Sequence, residues 1–312
     1  MKVTQLLGSL AALLLCLACG DNRIEKGPIK RSGQADVVSL DDDWRFIRYG
    51  LQADGTRVDE PAGMFEPATD DSDWETLDVP HDFAIKGPFR MDLAGNTGRL
   101  PFQGIGWYRK TFTVDEADQR KRFYVDFDGV MANAQVWLNG EYVGTWPYGY
   151  NSFRLDLTPF IQVGKENLLA VRTDTEKWDS RWYPGAGIYR HVWLVKTGQV
   201  HVRHWGTKIE ATNLTDKTAD LHLTVEVENY MNEDAKAVVK TSVYELDSLD
   251  CLGKRVLRFD DQTLLLKAMS AGKINLQKRM DDCKRWDIES PNRYMACVTV
   301  QVDGQETDRY YT

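Results

Sequence analysis

Cysteine is scarce in this sequence. Five of the 312 residues are cysteines, and two of these fall within the first twenty positions. The other three, Cys251, Cys283 and Cys297, form no CxxC pair, and an odd number of thiols cannot complete a disulfide framework. The sequence therefore argues against a structural zinc site, permits one disulfide at most, and favours free thiols.

Several chemical signatures are also missing. The sequence contains no GxSxG, HExxH, P-loop or GxGxxG motif, so nucleophilic-serine, metalloprotease and nucleotide chemistry have no support. Positive charge is not concentrated in a stripe, because the formal net charge is -8 and the lysines and arginines are scattered among acidic residues. Nucleic acid is therefore not an expected partner.

The apolar run at the N-terminus is too short to cross a membrane. It extends from Leu6 to Ala18 after the positive charge of Lys2, and residues 1–18 are predicted to be a signal peptide. The following Cys19 fits a lipoprotein signal-peptidase site, although Cys16 stands where that pattern usually has leucine. We expect a periplasmic or outer-membrane-anchored bacterial lipoprotein with Cys19 lipidated and residues 19–36 as a polar tether, and plain secretion is the alternative.

The rest of the sequence contains short strands separated by turn residues, with hardly any helical periodicity. Ala134–Leu138 alternates apolar and polar residues up to Asn139-Gly140, which indicates a tight hairpin. A second block begins near Val200, where Leu221–Glu228 alternates in the same way, and about seven strands are expected there. The pattern predicts an all-β chain of two antiparallel sandwiches.

The densest run of aromatic and charged residues is 177–190. Such a loop must pack on something, and it either closes its own sandwich or forms one wall of a cleft. His81 beside Asp82 could be a base oriented by a carboxylate, but a lone pair of this kind is weak evidence. The aspartates at turn-like positions are most simply caps and solvated charges; these are Asp41, Asp42, Asp43, Asp70 and Asp71.

Residues 37–198 carry a series of motifs that recur in the same order in one known family. They include Asp43-Trp44-Arg45-Phe46, Val79-Pro80-His81-Asp82-Phe83, Gly106-Trp107-Tyr108-Arg109-Lys110, Gly149-Tyr150 with Phe153, and Arg181-Trp182-Tyr183-Pro184-Gly185-Ala186-Gly187-Ile188-Tyr189-Arg190. This set resembles the N-terminal sugar-binding domain of glycoside hydrolase family 2. In the second block, Trp286–Tyr294 is similar to a segment of that family's immunoglobulin-like middle domain.

The resemblance implies a domain organisation. Residues 37–198 are expected to form a jelly-roll, galactose-binding-like sandwich, and residues 199–312 an immunoglobulin-like sandwich that is cut just before a (β/α)₈ barrel. In the family the barrel carries two catalytic glutamates that perform retaining hydrolysis of β-glycosides. The chain is therefore expected to be the non-catalytic front portion of an exo-acting, β-galactosidase-like enzyme, with none of its own residues catalytic.

The resemblance also assigns substrate-binding residues to two loops that rim the sugar pocket. Gln103 corresponds to an asparagine that touches sugar in some β-galactosidases, and Asp179 lies near a carboxylate that contacts a hydroxyl and a sodium ion. The neighbours expected to line the cleft are Arg181, Trp182 and Tyr183. A carbohydrate is the expected partner, this chain itself requires no cofactor, and sodium or magnesium could serve the complete enzyme.

Two other interpretations remain open at this stage. The tandem sandwiches could form a free-standing, lectin-like protein that binds carbohydrate without hydrolysing it. Alternatively, the chain could be a pseudo-domain left after a frameshift. The DNA that follows codon 312 separates these interpretations, since an open frame that encodes barrel glutamates supports the enzyme.

Overall fold

The computed structural model describes residues 32–52, 56–86, 104–176 and 185–312. Within these ranges the chain is all-β, as predicted, with short 3₁₀ helices at Phe83–Ile85 and Glu116–Asp118. Among the residues described, no helix has the length and apolar character that a bilayer span requires. The strands are β1 (Gly33–Gln34), β2 (Val37–Ser39), β3 (Trp44–Leu51), β4 (Arg57–Val58), β5 (Glu75–Leu77), β6 (Ile105–Thr113), β7 (Arg122–Phe127), β8 (Ala134–Leu138), β9 (Glu141–Trp146), β10 (Phe153–Asp156), β11 (Glu166–Asp174), β12 (Val192–Thr197), β13 (Val200–Thr212), β14 (Ala219–Asn229), β15 (Ala235–Leu246), β16 (Leu252–Arg258), β17 (Gln262–Leu266), β18 (Ser270–Met280), β19 (Arg293–Val302) and β20 (Gln305–Tyr311).

The first sandwich packs a sheet of order β4-β3-β6-β11-β8-β9, with β5 beside β3, against a sheet of order β10-β7-β12-β2. Side chains alternate across each strand, so Val136 and Leu138 of β8 are fully buried while Trp137 points to the opposite face. The predicted hairpin is confirmed: Asn139 and Gly140 both have positive φ, at 56° and 87°, and connect β8 to β9.

The second sandwich packs the sheet β13-β14-β18 against a sheet of order β1-β20-β19-β15-β16, in which β17 also pairs with β15. The alternation predicted for the second block is confirmed, because Leu223, Val225 and Val227 of β14 all point into the core. Eight of its described strands, β13 to β20, lie between Val200 and Tyr311. No disulfide joins Cys251, Cys283 and Cys297 in the part of the chain that the structure describes.

One strand differs from the expectation of a polar tether over residues 19–36. Gly33 and Gln34 form β1, which pairs with Tyr311 and Tyr310 at the edge of the second sandwich. The backbone N–H of Ala35 then donates to the carbonyl of Arg309 at 2.8 Å. The open edge of β20 supplies unpaired backbone groups, and pairing them with β1 satisfies both strands. The end of this segment is therefore part of the fold.

A buried polar cluster joins the two sandwiches beneath β1. Arg154 of β10 pairs with Asp126 of β7 through two contacts of 2.6 and 2.8 Å, and it donates to the Gln34 side chain at 3.0 Å. Gln34, which is 2% exposed, donates in turn to the carbonyl of Val202 in β13 at 2.9 Å. This chain of charge-assisted and neutral hydrogen bonds fixes one sandwich against the other.

Candidate functional site

Two loops leave the first sandwich side by side, at the start of β6 and the end of β11. The backbone N–H of Thr175 donates to the carbonyl of Gly104 at 2.9 Å, and the Thr175 hydroxyl donates to the same oxygen at 3.1 Å. Gly104 follows segment 87–103 and Thr175 comes just before segment 177–184. The pairing of β6 with β11 therefore brings together Gly104 and Thr175, which are far apart in sequence.

A glycine is required at the base of this pair of loops. Gly104 has φ of +146°, and a Cβ at this position would lie 2.2 Å from the carbonyl oxygen of Tyr49 on β3. L-amino acids with a side chain avoid both that backbone conformation and that contact. Gly104 thus allows the first loop to enter the sheet directly against β3.

Asp82, just before the 3₁₀ helix at Phe83–Ile85, holds the residues that follow segment 177–184. The Asp82 carboxylate accepts hydrogen bonds from the backbone N–H groups of Ala84 at 2.9 Å and Ala186 at 2.8 Å. The backbone N–H of Phe83 donates to the carbonyl of Ala186 at 2.9 Å. Burial raises the pKa of Asp82, while its two backbone donors act in the opposite direction.

His81 belongs to the body of the sandwich, because its contacts are with buried rings. Its Nδ1 lies 2.9 Å from the hydroxyl of the fully buried Tyr108, and its ring packs edge-on against Phe46 at 4.7 Å. Burial lowers the pKa of His81 to about 4, with a smaller contribution from Lys86. The imidazole is therefore neutral at neutral pH, and the Asp82 carboxylate that was considered as its partner serves the backbone instead.

The end of β11 is fixed from several sides. Asp174 donates its backbone N–H to the carbonyl of Ala132 at 2.9 Å, and its own carbonyl accepts from the Asn133 side chain at 3.0 Å. Glu176, the last residue before segment 177–184, forms an ion pair of 2.5 Å with Arg57 of β4. These contacts fix the positions of Asp174 and Glu176, after which the chain continues into segment 177–184.

The site residues expected from the sequence lie outside the described residues. They are Gln103 on the first loop, Asp179, Arg181, Trp182 and Tyr183 on the second, and the lipidation residue Cys19. Of the described residues near them in sequence, Gly104 and Thr175 are joined by a hydrogen bond of 2.9 Å. The roles of the expected site residues in sugar binding remain predictions.

Several of the turn-like aspartates have structural partners, as expected. Asp41 accepts from the backbone N–H of Val192 at 2.9 Å, and Asp70 closes its own turn through the N–H two residues later at 3.0 Å. Asp71 forms an ion pair of 3.0 Å with the buried Arg109. These carboxylates are therefore used for capping and charge pairing.

Sequence reasoning missed a group of aromatic residues beside the second loop. The Tyr189 hydroxyl donates to the carbonyl of Gly149 at 2.7 Å, so Tyr148 and Tyr150 lie close to the segment that returns from the loop. The motifs that contain Tyr150 and Tyr189 were visible in the sequence, but some forty residues separate them. Only the tertiary pairing of their loops brings the rings together.

Comparison with known proteins identifies the family. The model for the sugar-binding domain of glycosyl hydrolases family 2 matches residues 37–198, and a second model, described as glycosyl hydrolases family 2, matches residues 200–312. The chain belongs to glycoside hydrolase family 2. The resemblance that the ordered motifs indicated is thereby confirmed.

Relatives within family 2 match this chain along most of its length. The β-galactosidase BoGH2A of Bacteroides ovatus is 39% identical over 277 residues, which cover 86% of this chain and 30% of that relative. A β-glucuronidase of Formosa agariphila is 24% identical, over 89% of this chain and 29% of that protein. A solved family 2 structure from Bacteroides cellulosilyticus is 31% identical, with a TM-score of 0.77, and the match covers 88% of this chain and 34% of that one.

The chain thus spans about a third or less of the length of these family 2 proteins. In the described ranges, no group of three or more histidine, cysteine, aspartate or glutamate side chains is placed to hold a metal ion. Asp179, near which the resemblance implied sodium, lies outside those ranges. Sodium or magnesium dependence of a complete enzyme remains a prediction.

Proposed function

We propose that this chain is the non-catalytic front portion of an exo-acting, retaining β-glycosidase that resembles β-galactosidases. The observation that carries the proposal is the succession of two family 2 matches over residues 37–198 and 200–312. The 39% identity to a protein described as a β-galactosidase supports a galactoside as the substrate. A (β/α)₈ barrel beyond residue 312 supplies the two catalytic glutamates in this proposal.

The role of this chain in the enzyme is to form one rim of the sugar pocket. Its two loops leave the sandwich from adjacent points that hydrogen bonds hold together, as an enclosing wall requires. Gln103 and Asp179 have side chains that can bond sugar hydroxyls, and Arg181 can donate to them. Trp182 and Tyr183 have aromatic faces that can cover the C–H groups of a pyranose ring.

The activity can be tested by comparing two proteins, the 312-residue chain and the product of the reading frame extended beyond codon 312. Each is incubated with chromogenic β-galactoside, β-glucuronide and β-mannoside. We expect the longer protein to hydrolyse the β-galactoside best and the shorter one to hydrolyse none. Robust turnover by the 312-residue chain would show that it carries catalytic carboxylates, and an inactive longer protein would contradict the enzyme assignment.

Export as a lipoprotein is a separate part of the proposal. Residues 1–18 have the charge and apolar character of a signal peptide, and Cys19 directly follows Ala18. Labelling cells with a radioactive fatty acid should mark the wild-type protein but not the Cys19→Ser variant. A Cys16→Ser variant is the matched control and should still be labelled. If neither wild type nor control takes up lipid, the protein is secreted without an anchor.

A further inference from the structure

The loop between β9 and β10 leaves the first sandwich at the same end as the second rim loop. The backbone N–H of Asn133 donates to the carbonyl of Pro147 at 3.1 Å, just after β9 ends. On the other side, Asp174 at the end of β11 donates to the carbonyl of Ala132 at 2.9 Å. Residues 132 and 133 therefore lie between the β9–β10 loop and the start of segment 177–184.

The β9–β10 loop also contacts the segment that returns from the rim. Met131 and Gly187 each donate a backbone N–H to the carbonyl of the other, at 2.9 and 2.8 Å. The Tyr189 hydroxyl then donates to the carbonyl of Gly149 at 2.7 Å. The residues on either side of segment 177–184 are thus linked to residues 131–133, which contact the β9–β10 loop at Pro147, and Tyr189 contacts that loop directly at Gly149.

Aromatic rings and one cation occupy this position, and we call them the aromatic platform: Tyr148, Tyr150, Tyr189 and Arg190. Tyr148 is 57% exposed, and its ring centroid lies 5.5 Å from that of Tyr150 at an interplanar angle of 57°. The exposed guanidinium of Arg190 lies 5.4 Å from the centre of the Tyr189 ring. The platform therefore presents aromatic ring surface, phenolic hydroxyls and the hydrogen-bond donors of the Arg190 guanidinium.

Close backbone packing holds the platform in shape. A Cβ on Gly149 would lie 2.3 Å from the sulfur and 3.3 Å from the Cα of Met131, so glycine lets the loop pack closely here without displacing that side chain. A Cβ on Gly129 would lie 2.7 Å from the Tyr189 ring, which fits that ring against the backbone in the same way. Because the loop is fixed before any ligand arrives, less ordering entropy is lost when a ligand binds.

The chemistry of the platform suits a sugar ring. A pyranose has apolar C–H faces and a rim of hydroxyls, and tyrosines offer an apolar face with a polar tip. We propose that the aromatic platform binds a neutral pyranose unit of the substrate on the leaving-group side, outside the pocket for the terminal sugar. This inference rests on the proposed function, because it takes the adjoining loops to form the pocket rim.

The aromatic platform differs in composition from a purely apolar docking surface. The exposed large side chains of the second sandwich include aliphatic residues such as Leu249, Leu265 and Ile288, at 70%, 77% and 85% exposure. Planar rings with hydroxyl groups and an arginine donor predominate on the platform instead. This composition favours a hydroxylated ligand over an aliphatic protein segment.

The test is a protein-detected NMR titration of the 312-residue chain with β-1,4-linked tetrasaccharides of galactose, glucose and xylose. We expect at least one tetrasaccharide to bind with a Kd of about millimolar strength. Tyr148→Ala should weaken that binding by about three- to tenfold, because it removes the most exposed ring. Tyr148→Phe, which keeps the ring, should retain binding to within about twofold.

Tyr142 supplies the matched control. It is 50% exposed on β9, so truncating it removes a comparable exposed ring, but it lies beside the Asn139-Gly140 turn at the opposite end of that strand. Tyr142→Ala should leave tetrasaccharide binding unchanged. Equal losses in the Tyr148→Ala and Tyr142→Ala variants, or no binding of any tetrasaccharide by wild type, would overturn the proposal.

The outcome can be separated from that of the proposed function. If the extended protein hydrolyses aryl β-galactoside while Tyr148→Ala binds tetrasaccharides as wild type does, the platform is refuted and the enzyme assignment stands. If the extended protein is inactive but Tyr148→Ala loses binding, the platform stands as a carbohydrate site of a binding protein. Circular dichroism of each variant confirms that the sandwiches remain folded.

Discussion

Single residues set the geometry at the base of the rim loops, and Gly104 does so most directly. Its backbone lies against Tyr49 in a conformation that only glycine adopts readily. His81 contributes a neutral ring to the body of the first sandwich through its contacts with Tyr108 and Phe46. Both residues have structural contacts, so we expect their replacement to lower the free energy of unfolding.

The first prediction at this scale concerns Gly104→Ala. The new methyl group would collide with the Tyr49 carbonyl, so we expect the free energy of unfolding to fall by about 2–4 kcal/mol. Gly304→Ala is the control, because Gly304 has φ of +78° but nothing within 4 Å of its Cβ position. It should lose only about 1 kcal/mol. Similar losses in the two variants, measured by urea denaturation, would contradict the collision.

The second prediction concerns the protonation of His81. Its folded pKa is about 4, below the unfolded value of 6.5, so the unfolded chain binds this proton first as the pH falls. The contribution of neutral His81 to stability is therefore complete above pH 6.5 and is lost as the pH falls towards 4. An NMR titration should show the His81 imidazole still neutral at pH 5.5. Titration with a pKa near 6.5 would instead show that the ring is solvated.

At the scale of elements, the segment before the 3₁₀ helix acts as a clamp on the returning rim loop. Asp82 is its central residue, since one carboxylate oxygen accepts from both Ala84 and Ala186. Before segment 177–184, Asp174 is fixed by separate hydrogen bonds with Ala132 and Asn133. The loop is thus fixed at both ends by backbone contacts that do not depend on its own side chains.

Replacing Asp82 tests this clamp. Asp82→Ala leaves two backbone donors without their acceptor, so we expect a loss of about 2–3 kcal/mol and faster amide exchange at Ala186. Asp82→Asn keeps a carbonyl oxygen in the same place and should lose about 1 kcal/mol or less. Hydrogen exchange followed by mass spectrometry measures both effects. Unchanged exchange at Ala186 in Asp82→Ala would rule out the clamp.

Strands in which apolar and polar residues alternate could be predicted from the sequence, whereas contacts between distant loops could not. The β8–β9 hairpin followed from alternation and from Asn139-Gly140, where positive φ is locally favourable. The order of motifs identified the family, while the two loops that it implied as the rim of the sugar pocket remain a prediction. The clustering of Tyr148 with Tyr189 depends on pairing between distant segments, and a strand as short as β1 is too brief to show a period.

At the scale of the whole molecule, the two sandwiches are joined by more than their covalent connection. β1 pairs with β20, and the Arg154 cluster links β7, β10 and β13 beneath it. Gln34 adds one more acceptor to the buried Asp126–Arg154 pair and carries the link on to Val202. Unfolding of one sandwich should therefore destabilise the other.

Removing β1 tests this coupling. A chain that begins at Asp36 lacks the pairing with Tyr310 and the bond between Gln34 and Arg154. We expect the single calorimetric transition of the parent to separate into two, with the second sandwich melting about 4–8 °C lower. A chain that begins at Ser32 keeps β1 and should melt as the parent does. One unshifted transition in the shorter chain would show that β1 is dispensable.

The pairing of β1 with β20 also has a consequence for synthesis. Gly33 leaves the ribosome about 280 residues before its partner Tyr311, a delay of roughly 15 to 60 seconds at bacterial elongation rates. During that time the earliest strand of the fold must wait without a neighbour. Because it is only two residues long, it offers little surface for misplaced pairing, and this edge of the second sandwich is completed only when β20 has been synthesised.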